Sequence, residues 1–200
     1  VLAYDDAPTG QPGDLQYSPY LEQTFPNRVF FGDTHLHTSY SADAGYVGTT
    51  LGPEEAYRFA LGEEITSSTG VSAKLQRPLD ILEVPEHAEN KRLAPQANEG
   101  DPAIQATDFG REVHQLLTAA QGAEAFDRWR SERASGKDPM AGENAAAQTV
   151  WERITGTAEK FNDPGHFTAF IGYEWTSVPG GNNLHRNVIF RDGKDRADQV

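Results

Sequence analysis

The stretch Phe30-Phe31-Gly32-Asp33-Thr34-His35-Leu36-His37-Thr38-Ser39 constrains this chain more than any other. Two histidines, two residues apart, close an apolar run. On an extended strand, positions i and i+2 face the same side, so both imidazoles can converge on one point. A metal ion needs that geometry. Neutral imidazole suits Zn, Mn, Fe or Co, and a carboxylate adds charge neutralisation. Asp43, in the segment after His37, can bend back to the same ion. The competing reading is a pair of histidines on a polar strand face. The recurrence of further candidate ligands at strand ends favours the metal.

Residues 1–28 are rich in Pro, Gly, Asp and Tyr without a sustained period, and read as an extended arm. A strand follows over Arg28–Leu36. Gly52-Pro53-Glu54-Glu55 opens a helix, with Pro in the first turn and acids near the positive end of the dipole. Thr66–Lys74 reads as a loop or hairpin. Pro78–Val84 reads as a buried strand that ends in Pro85-Glu86-His87-Ala88-Glu89. Delivery of an acid and a histidine at the C-terminal end of a strand is the layout of α/β-barrel active sites. Residues 90–148 carry the least chemistry. Phe109–Arg133 is expected to be one helix with His114 exposed off its apolar stripe, and Asn144–Asn162 a second. These helices either cap the site as an insertion or form an ordinary outer layer. Phe167–Trp175 is the clearest strand, and an acid inside it, Glu174, is costly unless paired or metal-bound. His166 belongs to the turn before it. Leu184–Phe190 is a further strand, with His185 near its start.

Composition narrows the function classes. The formal net charge is −13, from 30 acidic and 17 basic residues. That balance opposes binding to nucleic acid or to an anionic membrane surface. An anionic substrate would need locally placed cations, which metal ions can supply. The absence of cysteine excludes disulfides, thiolate metal sites and cysteine nucleophiles. No apolar run approaches the ~18 residues of a membrane span. There is no Gly-x-Ser-x-Gly elbow and no phosphate-binding loop. The sequence starts Val1-Leu2-Ala3-Tyr4, without methionine, as a processed or trimmed product does, and a periplasmic or secreted location is favoured over a cytoplasmic one.

The candidate ligands are His35, His37, Asp43, His87, Glu174 and His185. They exceed what one tetrahedral ion uses, so two or three divalent ions are expected. Gly32-Asp33-Thr34-His35-Leu36-His37-Thr38-Ser39, with Ser41 and Asp43, resembles the first motif of the PHP (polymerase and histidinol phosphatase) superfamily. The longer matches are similar to one bacterial branch, the domain-of-unknown-function 3604 family. They are Pro53–Ala60, Arg77–Asp80, His87–Glu89, Ala169–Ser177 and Asn183–Phe190. The resemblance implies an α/β fold, a distorted (β/α)7 PHP-type barrel that is incomplete in this chain, spanning residues 29–200. It also implies metal-dependent hydrolysis of a small anionic ester, commonly a phosphoester, by a metal-activated bridging hydroxide at a cluster of Zn, Mn or Fe. The metal ligands it implies are His35, His37, Asp43, Glu86, His87, Glu174 and His185, with Glu174 bridging. Arg186 is expected either to bind a substrate anion or to serve as a structural salt-bridge partner, and Asp33 either orients an imidazole or caps a turn. Two departures accompany the resemblance. Pro85-Glu86-His87 stands where Thr-Asp-His is usual, and no Asp-x-His follows Glu174. A missing C-terminal part or a second chain is therefore expected to complete the barrel. The alternative is a non-catalytic metal- or ligand-binding module with a degenerate site.

Overall fold

A computed structural model of the chain describes residues 29–89, 93–135, 144–177, 179 and 182–199. The arm expected over residues 1–28 lies outside the described residues. The frame that positions the site is a three-stranded parallel sheet in the order β1-β4-β5, from Gly32–Asp33 (β1), Ile81–Glu83 (β4) and Thr168–Phe170 (β5). Its register aligns Gly32 with Ile81, and Ile81 with Thr168. Parallel neighbours require crossover connections, and the chain supplies them as helices. Ala42–Tyr46 (α1) and Pro53–Ala60 (α2) lie between β1 and β4. Leu93–Glu99 (α3), Pro102–Gln105 (α4), Asp108–Thr118 (α5), Gly122–Ala134 (α6) and Asn144–Phe161 (α7) lie between β4 and β5. A two-stranded hairpin, Ile65–Thr66 (β2) with Ser72–Ala73 (β3), fills the segment expected to be a loop or hairpin.

All three parallel strands run the same way, so their C-terminal ends share one edge. Beyond β5 the chain passes Ile171 and continues as Gly172–Ser177 (β6), which pairs antiparallel with Leu184–Ile189 (β7). A parallel bridge between His87 and Glu174 extends the β4–β5 pairing past that edge. The architecture is mixed α/β, and the described residues form no closed barrel.

Two cores hold this frame. The first packs α2, β4, β5 and α7 around Tyr57, Leu82, Ile154 and Phe167, with Lys194–Ala197 (α8) closing it through Ala197. Tyr57 stacks on Phe161 at 5.4 Å and meets Phe167 edge-on at 6.3 Å. The second is a helical core built by α1 and α3–α6 around Tyr46, Leu93, Ile104, Val113 and Trp129.

The expected single helix over Phe109–Arg133 is two helices. Ala120 takes a left-handed φ of 57°, which ends α5. That conformation costs a non-glycine residue about 1–2 kcal/mol. The break lets α6 fold back on α5, where the Arg128 Nε donates to Glu112 at 2.8 Å. At Gly122 a Cβ would sit 2.0 Å from the Tyr46 carbonyl oxygen, so only glycine permits this approach of α6 to α1. No helix among the described residues is long and apolar enough to cross a membrane.

Candidate metal centre

The shared strand edge collects the predicted ligands. His35 and His37 follow β1, His87 follows β4, Glu174 lies on β6 and His185 on β7. Period-2 alternation turns Glu174 and Thr176 to the buried face of β6, and His185 sits opposite Thr176 in the register. Asp43 comes from the first turn of α1.

The Glu174 side chain is only 1% exposed. Its Oε2 lies 3.3 Å from His35 Nε2, 2.9 Å from His37 Nε2 and 3.4 Å from His87 Nδ1. Its Oε1 lies 2.5 Å from His185 Nδ1. Despite the three close nitrogens, Oε2 makes no hydrogen bond. The nitrogens approach it without donor geometry. The two Nε2 atoms of His35 and His37 are themselves 3.1 Å apart. Two ligands each about 2.1 Å from one ion, at tetrahedral or octahedral angles, stand about 3.0–3.4 Å apart. The spacing and the N/O donor set therefore fit a divalent ion. Three groups bring one ligand atom from each residue within 4.8 Å of one another: His35, His37 and Glu174; His37, Asp43 and His87; His87, Glu174 and His185.

Hydrogen bonds orient these ligands. His37 Nδ1 lies 3.0 Å from both Asp43 oxygens. A ring that donates Nδ1–H to Asp43 presents its Nε2 lone pair towards His35 and Glu174, the carboxylate–histidine arrangement common around metals. Ser41 Oγ approaches the same Nδ1 at 3.1 Å and accepts the His87 backbone N–H at 3.3 Å. Thr176 Oγ1 bridges His87 Nδ1 at 3.2 Å and His185 Nδ1 at 2.9 Å. The electrostatics follow from the packing. Burial works to lower the His37 pKa, but Asp43, Glu174 and Glu86 outweigh it and hold it above the ordinary value. Burial likewise works to raise Asp43, but hydrogen bonds with His37, His87 and Ser41 hold it well below the usual carboxylate range.

Two expected site residues lie outside these three groups. Glu86 is fully buried but belongs to none of the three ligand groups. It receives the Thr38 backbone N–H at 3.1 Å and the Thr38 hydroxyl. It thus anchors the residue after His37. Arg186 pairs in register with Trp175, one position out of step with Glu174 and Thr176. Its guanidinium lies 5.3 Å above the Trp175 ring, on the face away from the imidazoles. Period-2 alternation separates it from His185. Asp33 caps the turn, with Oδ1 accepting the His35 N–H at 2.8 Å. His114, expected to be exposed, is part-buried with Nδ1 2.6 Å from the Ala97 carbonyl.

The site opens onto a cleft of ≈ 1010 Å³. Asp43, His87 and His185 line one part of it, and α6 lines another through Trp129, Arg130 and Arg133. Within the segment expected either to cap the site or to form an outer layer, α6 lines this cleft. These α6 residues were missed because nothing local in the sequence marks them. Their role depends on how α6 packs against α1.

The family model described as "Protein of unknown function (DUF3604)" matches residues 24–200. No curated protein matches the chain, and no solved structure does.

Proposed function

The chain belongs to the DUF3604 family, and from the geometry of its site we propose that it is a metal-dependent hydrolase acting on phosphoesters. The observation that carries this reading is the buried Glu174 Oε2, which makes no hydrogen bond although three imidazole nitrogens lie within 3.4 Å. An uncompensated buried carboxylate oxygen is costly, and a shared cation removes that cost. His35, His37, His87, Glu174 and His185 would hold two or three ions of Zn, Mn or Fe, with Asp43 joining through His37 and His87. When bound, such ions supply Lewis-acid activation of a water and of the phosphoryl oxygens. The chain's own residues orient the ligands and hold Asp43 as a carboxylate. Asp43 and Ser41 fix the His37 ring, and Thr176 fixes those of His87 and His185. In hydrolysis the water oxygen bonds to phosphorus as the ester P–O bond breaks, and the departing alkoxide takes a proton.

The same reading takes β1, β4 and β5 as the opening strands of a distorted PHP-type barrel. Their parallel order and the ligands at their C-terminal ends support it. The test is metal content by plasma mass spectrometry on protein purified without chelators, followed by turnover of phenyl phosphate. Two or three equivalents of metal with chelator-sensitive turnover is the expected result. Metal binding with no turnover would favour the non-catalytic module, the reading to which the engagement of Glu86 with Thr38 lends weight. Near-zero metal would overturn both.

A further inference from the structure

We propose that α6 is the specificity wall of this site, and that its substrate is a phosphoester whose alcohol part carries a second negative charge held by Arg130 and Arg133. The proposal rests on the phosphoesterase reading and names the substrate class for it. Both arginines line the cleft that also reaches Asp43, His87 and His185. They are the arginines among its lining residues, in a chain of net charge −13. Positive charge is scarce in this molecule, and here it stands on the cleft that the metal centre opens into.

Each guanidinium lies over an aromatic ring. Arg133 is 5.3 Å from the Trp129 centroid, and Arg130 is 5.8 Å from that of Phe126. The two rings stack on each other at 5.6 Å. Stacking fixes the guanidinium planes and leaves their edges to hydrogen-bond planar anions, a task for which arginine is better suited than lysine. Acids also line the cleft, but they do not use up these donors. Arg133 stands 3.8 Å from Glu89, and Arg130 stands 3.5 Å from Asp127. Both distances exceed the ~2.7–3.2 Å of a direct hydrogen bond. The cleft is also much larger than a phosphate group needs, since drug-sized ligands fill about 300–1,000 Å³. The size, the aromatic pair and the two cations together describe an organic alcohol part bearing an anionic group.

The test uses two non-hydrolysable probes, phenylphosphonate and 4-carboxyphenylphosphonate, titrated calorimetrically into the metal-loaded protein. The wild type is expected to bind the carboxylated probe about tenfold or more tightly, the scale of one or two charge-assisted hydrogen bonds. In the double variant R130Q/R133Q that advantage should fall to near unity. Arg128, on the same helix, is engaged by Glu112 and Glu132 rather than lining the cleft. R128Q should therefore keep the preference and control for general effects on α6, with circular dichroism confirming the fold of each variant. Equal binding of both probes by the wild type, a preference that survives R130Q/R133Q, or no binding of either probe would overturn the proposal. Turnover of phenyl phosphate reads the hydrolase assignment separately. Turnover without charge preference removes the wall alone, and an arginine-dependent preference without turnover removes the hydrolase alone.

Discussion

Glu86 and Thr38 show how single residues set the site. The Glu86 carboxylate is fully buried, and it receives both the backbone N–H and the hydroxyl of Thr38. Thr38 directly follows His37, so this contact fixes the backbone that aims the imidazole. Thr38→Val removes the hydroxyl and leaves a buried carboxylate one donor short, which should cost about 1–3 kcal/mol. Urea unfolding would show that as a lower midpoint, and an unchanged midpoint would mean the contact contributes nothing. His37→Ala acts on the cluster itself, since His37 belongs to two of the three ligand groups. Loss of an orienting neighbour alone typically weakens metal binding about 10–100-fold, so loss of this ligand should do at least as much. A metal titration with a competing chelator would measure it, and wild-type affinity would exclude His37 from the centre. At this scale the sequence was informative where the signal was local. The His35/His37 pair is set by strand alternation, and Glu174 by the cost of a carboxylate in an apolar strand. The same alternation should have separated Arg186 from His185, since adjacent residues on a strand face opposite ways.

Among the elements, the approach of α6 to α1 decides the shape of the cleft. Gly122 makes it possible, because any Cβ there would meet the Tyr46 carbonyl oxygen at 2.0 Å. Tyr46 ends the helix that carries Asp43. Gly122→Ala must therefore push α6 outward or strain α1, at about 1–3 kcal/mol for an overpacked contact. The expected outcomes are a lower melting temperature and faster proteolysis of the helical segment. Retention of wild-type values on both would show that the contact can relax freely. This element also shows where sequence reading ran out. Three strand regions and the helices at 53–60 and 144–161 carry their own periodicity, caps and turn residues. The break at Ala120 has no such signal, because alanine is an ordinary helix former, yet here it takes φ 57°. Once α5 and α6 are read as one helix, the fold-back that brings Trp129, Arg130 and Arg133 to the cleft disappears from view. The antiparallel β6–β7 hairpin is equally non-local, since the residues alone mark two strands and not their relative direction.

For the molecule as a whole, Glu83 ties stability to pH. It lies on the central strand β4 with both carboxylate oxygens buried and making no hydrogen bond. Its Oε1 would be 1.8 Å from a Cβ at Gly172, so glycine at the start of β6 makes room for it. Burial pushes its pKa up to about 8, against 4.5 for the ordinary side chain. The folded state therefore holds a proton that the unfolded chain has already released anywhere between those two values. Where the folded state binds more protons, stability falls as pH rises. The loss begins near pH 4.5, reaches about 1.4 kcal/mol per pH unit inside the window, and levels off above pH 8. Below the window both states are protonated and Glu83 contributes no pH dependence. Glu83→Gln keeps the shape and removes the titration. Its stability should match the wild type near pH 4.5 and exceed it increasingly up to pH 8. Urea unfolding of both proteins at intervals across this range, with chelator present so that metal binding adds no proton linkage of its own, reads the difference directly. Curves that stay parallel would mean that Glu83 is ionised in the folded protein, and that a cation or a donor from elsewhere compensates it.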